Sequence, residues 1–244
     1  MECGPRFSLF ESMPFDRKNT TMTDFTPCEE CIKEYQDSSN RRFFSQTICC
    51  KECGPKLTLY DNKQHSTAEN IDAVLMAKKA LKQGKIVAVK NTGGFLILCD
   101  ATNHNAVEKL REIKKRKKKP FAILASNLDQ ARSLGCITEA EETVLLSNAS
   151  PITLCVKKID CTLAPSVCSE SPYVGIMLPS TALLMMISEG LSPLVATSGN
   201  ISSEPLCIDD QDAFNKLLGC DLFLTHNRRI HNRIDDSVVT IIDQ

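Results

Sequence analysis

A chain of 244 residues, 42% of them hydrophobic, has the material for one medium domain with its own core and a small additional module. Its formal net charge of −1 argues against a globally basic nucleic-acid binder, and no uninterrupted apolar stretch reaches membrane-spanning length. Met1 is followed by Glu2, Cys3, Gly4 and Pro5, not by a basic segment leading into an apolar one. With 13 cysteines, an odd number, a reducing cytoplasmic setting is expected.

Residues 1–62 are punctuated by Gly, Pro, Asp and Asn and hold little aliphatic periodicity, so this module is expected to need a metal to fold. Cys28 and Cys31 form one C-x2-C pair, and Cys50 and Cys53 form another after 18 intervening residues. That spacing predicts a structural four-thiolate Zn2+ site, each pair presenting two sulfurs from one tight turn. Gly54 and Pro55 suit the turn after the second pair. A buried or disulfide-bonded set is the competing reading. Cys99, Cys136, Cys155, Cys161, Cys168, Cys207 and Cys220 lie among apolar runs, as small core residues do.

A polar linker is expected at residues 62–67. A helix then spans 69–83, with Ile71, Val74, Leu75 and Leu81 on one side and Gly84 as its stop. Strands are expected at 86–90 and 94–99. Ala106, Val107, Leu110 and Ile113 mark a helix that ends in the basic run Lys114-Lys115-Arg116-Lys117-Lys118-Lys119-Pro120, and residues 121–125 read as a strand. Thr138 and Glu141 make a capping box for a helix through Leu146. Further strands are expected at 152–156, 174–178, 194–197, 222–225 and 238–242. The alternation predicts an α/β domain over residues 67–244, built on a mixed twisted sheet and preceded by a small zinc-finger module over residues 1–62.

Chemistry belongs where strands end in polar, glycine-rich segments. Four such places stand out: Lys90-Asn91-Thr92-Gly93-Gly94-Phe95, the basic run to Lys119-Pro120, Thr197-Ser198-Gly199-Asn200, and Arg233-Ile234-Asp235-Asp236-Ser237. They offer cations for phosphates, a glycine turn that lets backbone amides approach an anion, and hydroxyl and amide groups for orientation, a set that suits a nucleoside triphosphate. Neither a G-x4-G-K-[ST] loop nor a G-x-G-x-x-G fingerprint is present.

The segments Cys3-Gly4-Pro5-Arg6-Phe7, Pro14-Phe15-Asp16-Arg17, Asn19-Thr20-Thr21-Met22, Cys28-Glu29-Glu30-Cys31, Glu34-Tyr35, Arg41-Arg42-Phe43 and Cys53-Gly54-Pro55 resemble the zinc-finger region of the HypF hydrogenase-maturation carbamoyltransferases. Gly93-Gly94-Phe95, Cys99-Asp100-Ala101-Thr102-Asn103, Lys119-Pro120-Phe121-Ala122, Val174-Gly175-Ile176-Met177-Leu178-Pro179, Thr197-Ser198-Gly199-Asn200, Glu204-Pro205, His226-Asn227-Arg228 and Asp235-Asp236-Ser237-Val238-Val239 resemble that family's YrdC-like nucleotide-binding domain. The resemblance runs in order from residue 3 to about 242.

It implies that carbamate released from carbamoyl phosphate is activated by ATP to carbamoyl adenylate. A further domain then passes the carbamoyl group to a cysteine of a hydrogenase-maturation partner. Lys90, Lys114, Arg116 and Lys119 would neutralise the phosphates together with Mg2+. Thr197, Ser198 and Asn200 would orient the α-phosphate or carbamoyl group, with Arg233 and Ser237 on the other side. Two alternatives are a threonylcarbamoyl-adenylate synthase and a non-catalytic module whose basic cleft takes RNA, double-stranded RNA included, or a partner protein. The family carries further domains on both sides, so the chain resembles the middle of a larger protein, with Cys3 as an orphan ligand. It departs from the family pattern where Phe44, Leu96 and Leu184-Met185 replace histidines, where Ser180 and Ala182 replace Tyr and Pro, and where Lys117 replaces Pro.

Overall fold

The computed structural model describes residues 7–116, 118–168 and 171–242. Cys3 and the rest of the first resembling segment before Phe7 lie outside the described residues, as does Lys117. The elements, in chain order, are α1 (Glu29–Gln36), β1 (Leu57–Asp61), β2 (Ser66–Glu69), α2 (Asn70–Lys82), β3 (Val87–Lys90), β4 (Phe95–Asp100), α3 (His104–Lys114), β5 (Ala122–Leu124), α4 (Leu128–Leu134), β6 (Gly135–Cys136), α5 (Glu139–Leu145), β7 (Ile152–Lys157), β8 (Tyr173–Met177), α6 (Ala182–Ser188), β9 (Leu194–Ser198), α7 (Asp210–Lys216), β10 (Leu222–His226) and β11 (Val238–Val239). The architecture is mixed α/β: among the described residues, 11 strands form one sheet in the order β11-β7-β8-β5-β9-β4-β3-β10-β1-β2, with β6 beside β7. β10 with β3, β5 with β8 and β11 with β7 are parallel, and the other neighbours are antiparallel.

Strand alternation sends apolar side chains to both faces of this sheet. Ala88, Phe95, Ile97, Ile123 and Val195 face a core closed by Val107 and Leu110 of α3, Ala131 and Leu134 of α4, and Ala213 of α7. Val87, Val89, Leu96, Leu98 and Ala196 face a second core closed by α2 and by Leu184 and Ile187 of α6. The expected face of α2 needs correction: Ile71 and Leu75 are exposed, while Ala73, Val74, Ala77, Ala80 and Leu81 are buried. Small side chains let the helix lie close on the sheet, and the period through the alanines outweighs the one through the larger residues. Gly84 ends this segment with φ +76°, a conformation that glycine adopts without steric cost. The Thr138–Glu141 capping box forms as expected.

The polar stretch at 62–67 is not a free linker. Asp61 accepts the amides of Lys63 (2.9 Å) and His65 (2.8 Å), closing a turn that joins β1 to β2. β1 pairs with β10 from Leu57↔His226 to Asp61↔Leu222, so the end of the cysteine-rich region runs directly into the sheet. The last strand is shorter than expected, two residues against the five of 238–242. Of the seven scattered cysteines, Cys99, Cys155, Cys168, Cys207 and Cys220 are buried, Cys161 is half-buried and Cys136 is exposed. No helix is long and apolar enough to cross a membrane among the described residues.

Candidate metal centre and nucleotide site

The metal centre begins with a helix start. Cys28 caps α1 and Cys31 lies one turn along it, buried, so the first pair converges from one helical end. The second pair sits on a tight turn closed by the Gly54 amide on the Cys50 carbonyl (2.8 Å). A Cβ at Gly54 would stand 2.7 Å from that carbonyl oxygen and 2.9 Å from Cys49 Sγ, so no larger residue fits there unless the turn moves. The four sulfurs lie within 4.8 Å of one another. Cys28–Cys50 and Cys31–Cys53 are 3.7 Å apart and Cys50–Cys53 3.8 Å. Four thiolates held about 2.3 Å from a central zinc are about 3.8 Å apart in a tetrahedron, so the set fits that ion. The described cysteines are all free, and the sulfur separations of 3.7 and 3.8 Å are well beyond disulfide length. Arg17 braces the loop by donating to the Ile48 carbonyl (2.7 Å), and Arg42 donates to the Cys49 carbonyl (2.8 Å) and pairs with Glu34.

The nucleotide candidates converge at one end of the sheet. Antiparallel pairing sets the carboxyl end of β9 beside the start of β4 (Ser198↔Leu96), and the β9–β5 register brings it close to the segment before Ala122. α3 ends where Lys115 adopts a left-handed conformation, φ 49° and ψ 38°, which reverses the chain between Lys114 and Arg116. The buried Lys114 ammonium donates to the Ser198 carbonyl (2.5 Å), the Asn200 carbonyl (2.7 Å) and Asn200 Oδ1 (2.7 Å), with Ser198 Oγ at 3.4 Å. Ser198 Oγ in turn donates to Asn200 Oδ1 at 2.7 Å. Burial, with the positive Arg116 next in effect, pushes the Lys114 ammonium down to about 8.

Arg116 reaches Thr197 Oγ1 (3.2 Å) and the Lys119 carbonyl (3.1 Å), and its guanidinium lies 4.8 Å from the Phe121 ring centroid. Arg111 lies at the same distance from that ring and donates to the Arg116 carbonyl (2.9 Å). Phe121 is fully buried, so a core side chain carries the basic loop. The structure therefore brings together Lys114, Arg116, Thr197, Ser198 and Asn200, with the exposed Lys119 on the same loop.

Lys90 closes β3 opposite Phe95 of β4. It is buried, and its ammonium is 2.7 Å from Asp210 Oδ1 at the start of α7, so its charge already has a partner. Arg233 donates to the Leu206 carbonyl (2.7 Å), behind the Ser198–Asn200 turn. Ser237 is exposed at the start of β11, where its carbonyl accepts from Ile152; strand register places it toward the other ends of β5 and β9 from the Lys114 cluster.

The sequence alone assigns no role to Asp210, Arg111, His226 or Arg228. His226 and Arg228 belong to a motif that carried the resemblance, whereas Asp210 reads only as an ordinary acidic residue in the first turn of a helix. Among the described residues His226 Nδ1 is buried without a hydrogen-bond partner, and burial, followed by Lys90 and Arg228, pushes the ring down to about 3, leaving it neutral. Of the departures from the family pattern, Leu96 and Leu184 are buried in the α2-side core, Met185 is exposed, and Phe44 stacks on Tyr35 at 5.1 Å.

Residues 79–244 match the Sua5–YciO–YrdC family model, described as telomere recombination, and residues 28–60 match that of the HypF finger. The carbamoyltransferase HypF of Rhodobacter capsulatus is 42% identical over 243 residues, covering 98% of this chain and 32% of its own length. The chain thus spans about a third of the length of these HypF relatives. A crystal structure of full-length HypF in a phosphate- and nucleotide-bound form aligns over 98% of this chain and 31% of that one, with a TM-score of 0.92 and 41% identity. HypF of T. kodakarensis aligns over 99% and 32%, with a TM-score of 0.94 and 36% identity.

Proposed function

The chain belongs to the Sua5–YciO–YrdC family, and on that premise we propose that it binds ATP and activates carbamate as carbamoyl adenylate, in a HypF-type maturation of hydrogenase. The observation that carries this reading is the Lys114 ammonium locked onto Ser198 and Asn200, with Arg116 on Thr197 beside it. A carbamate oxygen attacks the α-phosphorus, the bond from that phosphorus to the bridging oxygen breaks, and pyrophosphate leaves with that electron pair. Lys114, Arg116 and Lys119 offset the charge as it moves to the leaving group, and Mg2+ accompanies the triphosphate. Catalysis is positioning and charge stabilisation, with no covalent protein intermediate. Lys90 acts one step removed, by holding α7 through Asp210.

The four cysteines hold one structural zinc, with every position filled by sulfur. Carbamate itself is the substrate to supply in the assay. Calorimetry with ATP and Mg2+ is expected to show binding that Lys119→Ala weakens by about 1.5–3 kcal/mol, the range for a lost charge-assisted contact. Freshly generated carbamate is expected to release pyrophosphate, with threonine plus bicarbonate as the contrast. Equal ATP affinity in both proteins removes Lys119 from the site, and turnover only in the arm with threonine plus bicarbonate transfers the chain to threonylcarbamoyl chemistry.

A further inference from the structure

The segment between β10 and β11 crosses from the amino-terminal module to the glycine turn of the nucleotide site, and it is bonded to both. On the module side, Asn227 accepts the Lys56 amide at 2.8 Å, and His231 donates its amide to the Ser8 carbonyl at 2.6 Å. The Asn232 amide group donates to the carbonyls of Phe7 (2.9 Å) and Phe10 (3.1 Å). Arg229 pairs with Asp24 at 2.8 Å and Glu11 at 3.1 Å. On the site side, Arg228 is buried and donates to the Thr92 carbonyl at 3.0 Å, Ile234 donates its amide to the Gly93 carbonyl at 3.1 Å, and Arg233 donates to the Leu206 carbonyl.

The turn that this strap covers cannot fill its own space. A Cβ at Gly93 would lie 2.7 Å from Ile234 Cβ, and one at Gly94 2.3 Å from Leu206 Cδ2. Gly199 packs equally tightly on Phe95, whose carbonyl accepts the Gly199 amide at 2.6 Å. Any shift of the strap therefore presses on the glycine turn and, through Leu206 and Phe95, on the Ser198–Asn200 turn that Lys114 grips.

We propose that Arg229 and Asn232 are positioning residues for the nucleotide site: they anchor the strap to the amino-terminal module and so set the Gly93–Gly94 turn and, behind it, the Ser198–Asn200 turn. Neither touches the nucleotide. The inference rests on the nucleotide-binding reading and adds to it that the module, though none of its described residues donates a group to the site, tunes the site's affinity. Arg229 is largely exposed, and exposed ion pairs are weak individually, so the effect is graded rather than all-or-none.

The test places the changes in the module and on the module-facing side of the strap, away from the site. Glu11→Gln with Asp24→Asn removes both carboxylates that hold Arg229, and Asn232→Ala removes the paired carbonyl contacts. In the full chain, hydrogen exchange at the Ile234 amide and across residues 91–95 is expected to quicken in both variants, with zinc content unchanged. ATP affinity is expected to fall about 5-fold, the scale of one or two exposed contacts. In a Glu11→Gln background, the charge swap Asp24→Arg with Arg229→Asp is expected to recover much of both losses, which general destabilisation would not do. Unchanged exchange at Ile234 and residues 91–95 overturns the proposal, as does quickened exchange with unchanged ATP affinity. Failure of the unaltered chain to bind ATP sinks the nucleotide reading itself, and the exchange data then decide the coupling alone.

Discussion

The amino-terminal module and the sheet domain are held by different physics. Among the described residues before β1, the buried apolar side chains are Met22, Cys31 and Ile48, whereas the sheet carries a substantial apolar core on each face. The module's order comes from four converging sulfurs and from arginines that donate to backbone carbonyls: Arg17 to Ile48 and Arg42 to Cys49. A segment with so little apolar burial cannot offset its own ordering entropy without a covalent or metal clamp. The sheet domain can, because its area buried from water grows with every strand added. The two regions should therefore fail under different insults.

The sharpest break is at the metal. Cys28→Ser with Cys53→Ser removes two of four ligands, and structural zinc sites contribute about 10–16 kcal/mol of apparent folding free energy in small fingers. Zinc content is expected to drop to none and residues 7–56 to become protease-sensitive, while the main urea transition of the sheet persists. A variant that keeps its zinc would sink the ligand assignment. Loss of the sheet transition along with the metal would erase the contrast between the regions.

A smaller effect is expected in the sheet. Phe121→Ala empties a fully buried position and takes away the ring on which Arg111 and Arg116 lie. Truncating a buried Phe typically costs about 3–5 kcal/mol. Urea unfolding should show that loss, with zinc content unchanged. A shift below about 1 kcal/mol would mean that the site collapses around the gap.

Much of the sheet could be read from sequence because its inner strands are continuous apolar runs between turn residues. β4, β7 and β9 fall within a residue or two of their expected bounds. The β1–β2 hairpin escaped because only Leu59 of β1 is buried, and β2 is a polar edge strand with no alternation to betray it. The shorter helices α4, α6 and α7 carry too few turns for a periodic signal, although Asn127, Thr181 and Asp209 cap them. In the site, the lysines and the Ser198–Asn200 turn were legible as residue types. Their partners were not: that Lys90 is spent on Asp210 is a contact across 120 positions, set by how α7 crosses the sheet.

The finest test of the comparison uses pH, because the sheet domain contains a buried lysine on whose charge the proposed nucleotide site relies. Lys114 has its folded-state pKa depressed from 10.5 to about 8, mainly by burial. Below about 8 both folded and unfolded chains hold its proton, and the desolvation penalty is fully present. Between about 8 and 10.5 the unfolded chain holds more protons, so this residue's effect is to make stability rise with pH across that window. ATP affinity should move the opposite way, since the neutral amine no longer meets phosphate charge. The limit is about tenfold per pH unit above 8, or about 1.4 kcal/mol. Calorimetry at pH 9 in buffers of different ionisation enthalpy should record proton uptake as ATP binds, and Lys114→Met should show weaker binding with that uptake lost. Equal proton uptake in the two proteins would assign the titration elsewhere and leave Lys114 as a structural clamp on the Ser198–Asn200 turn.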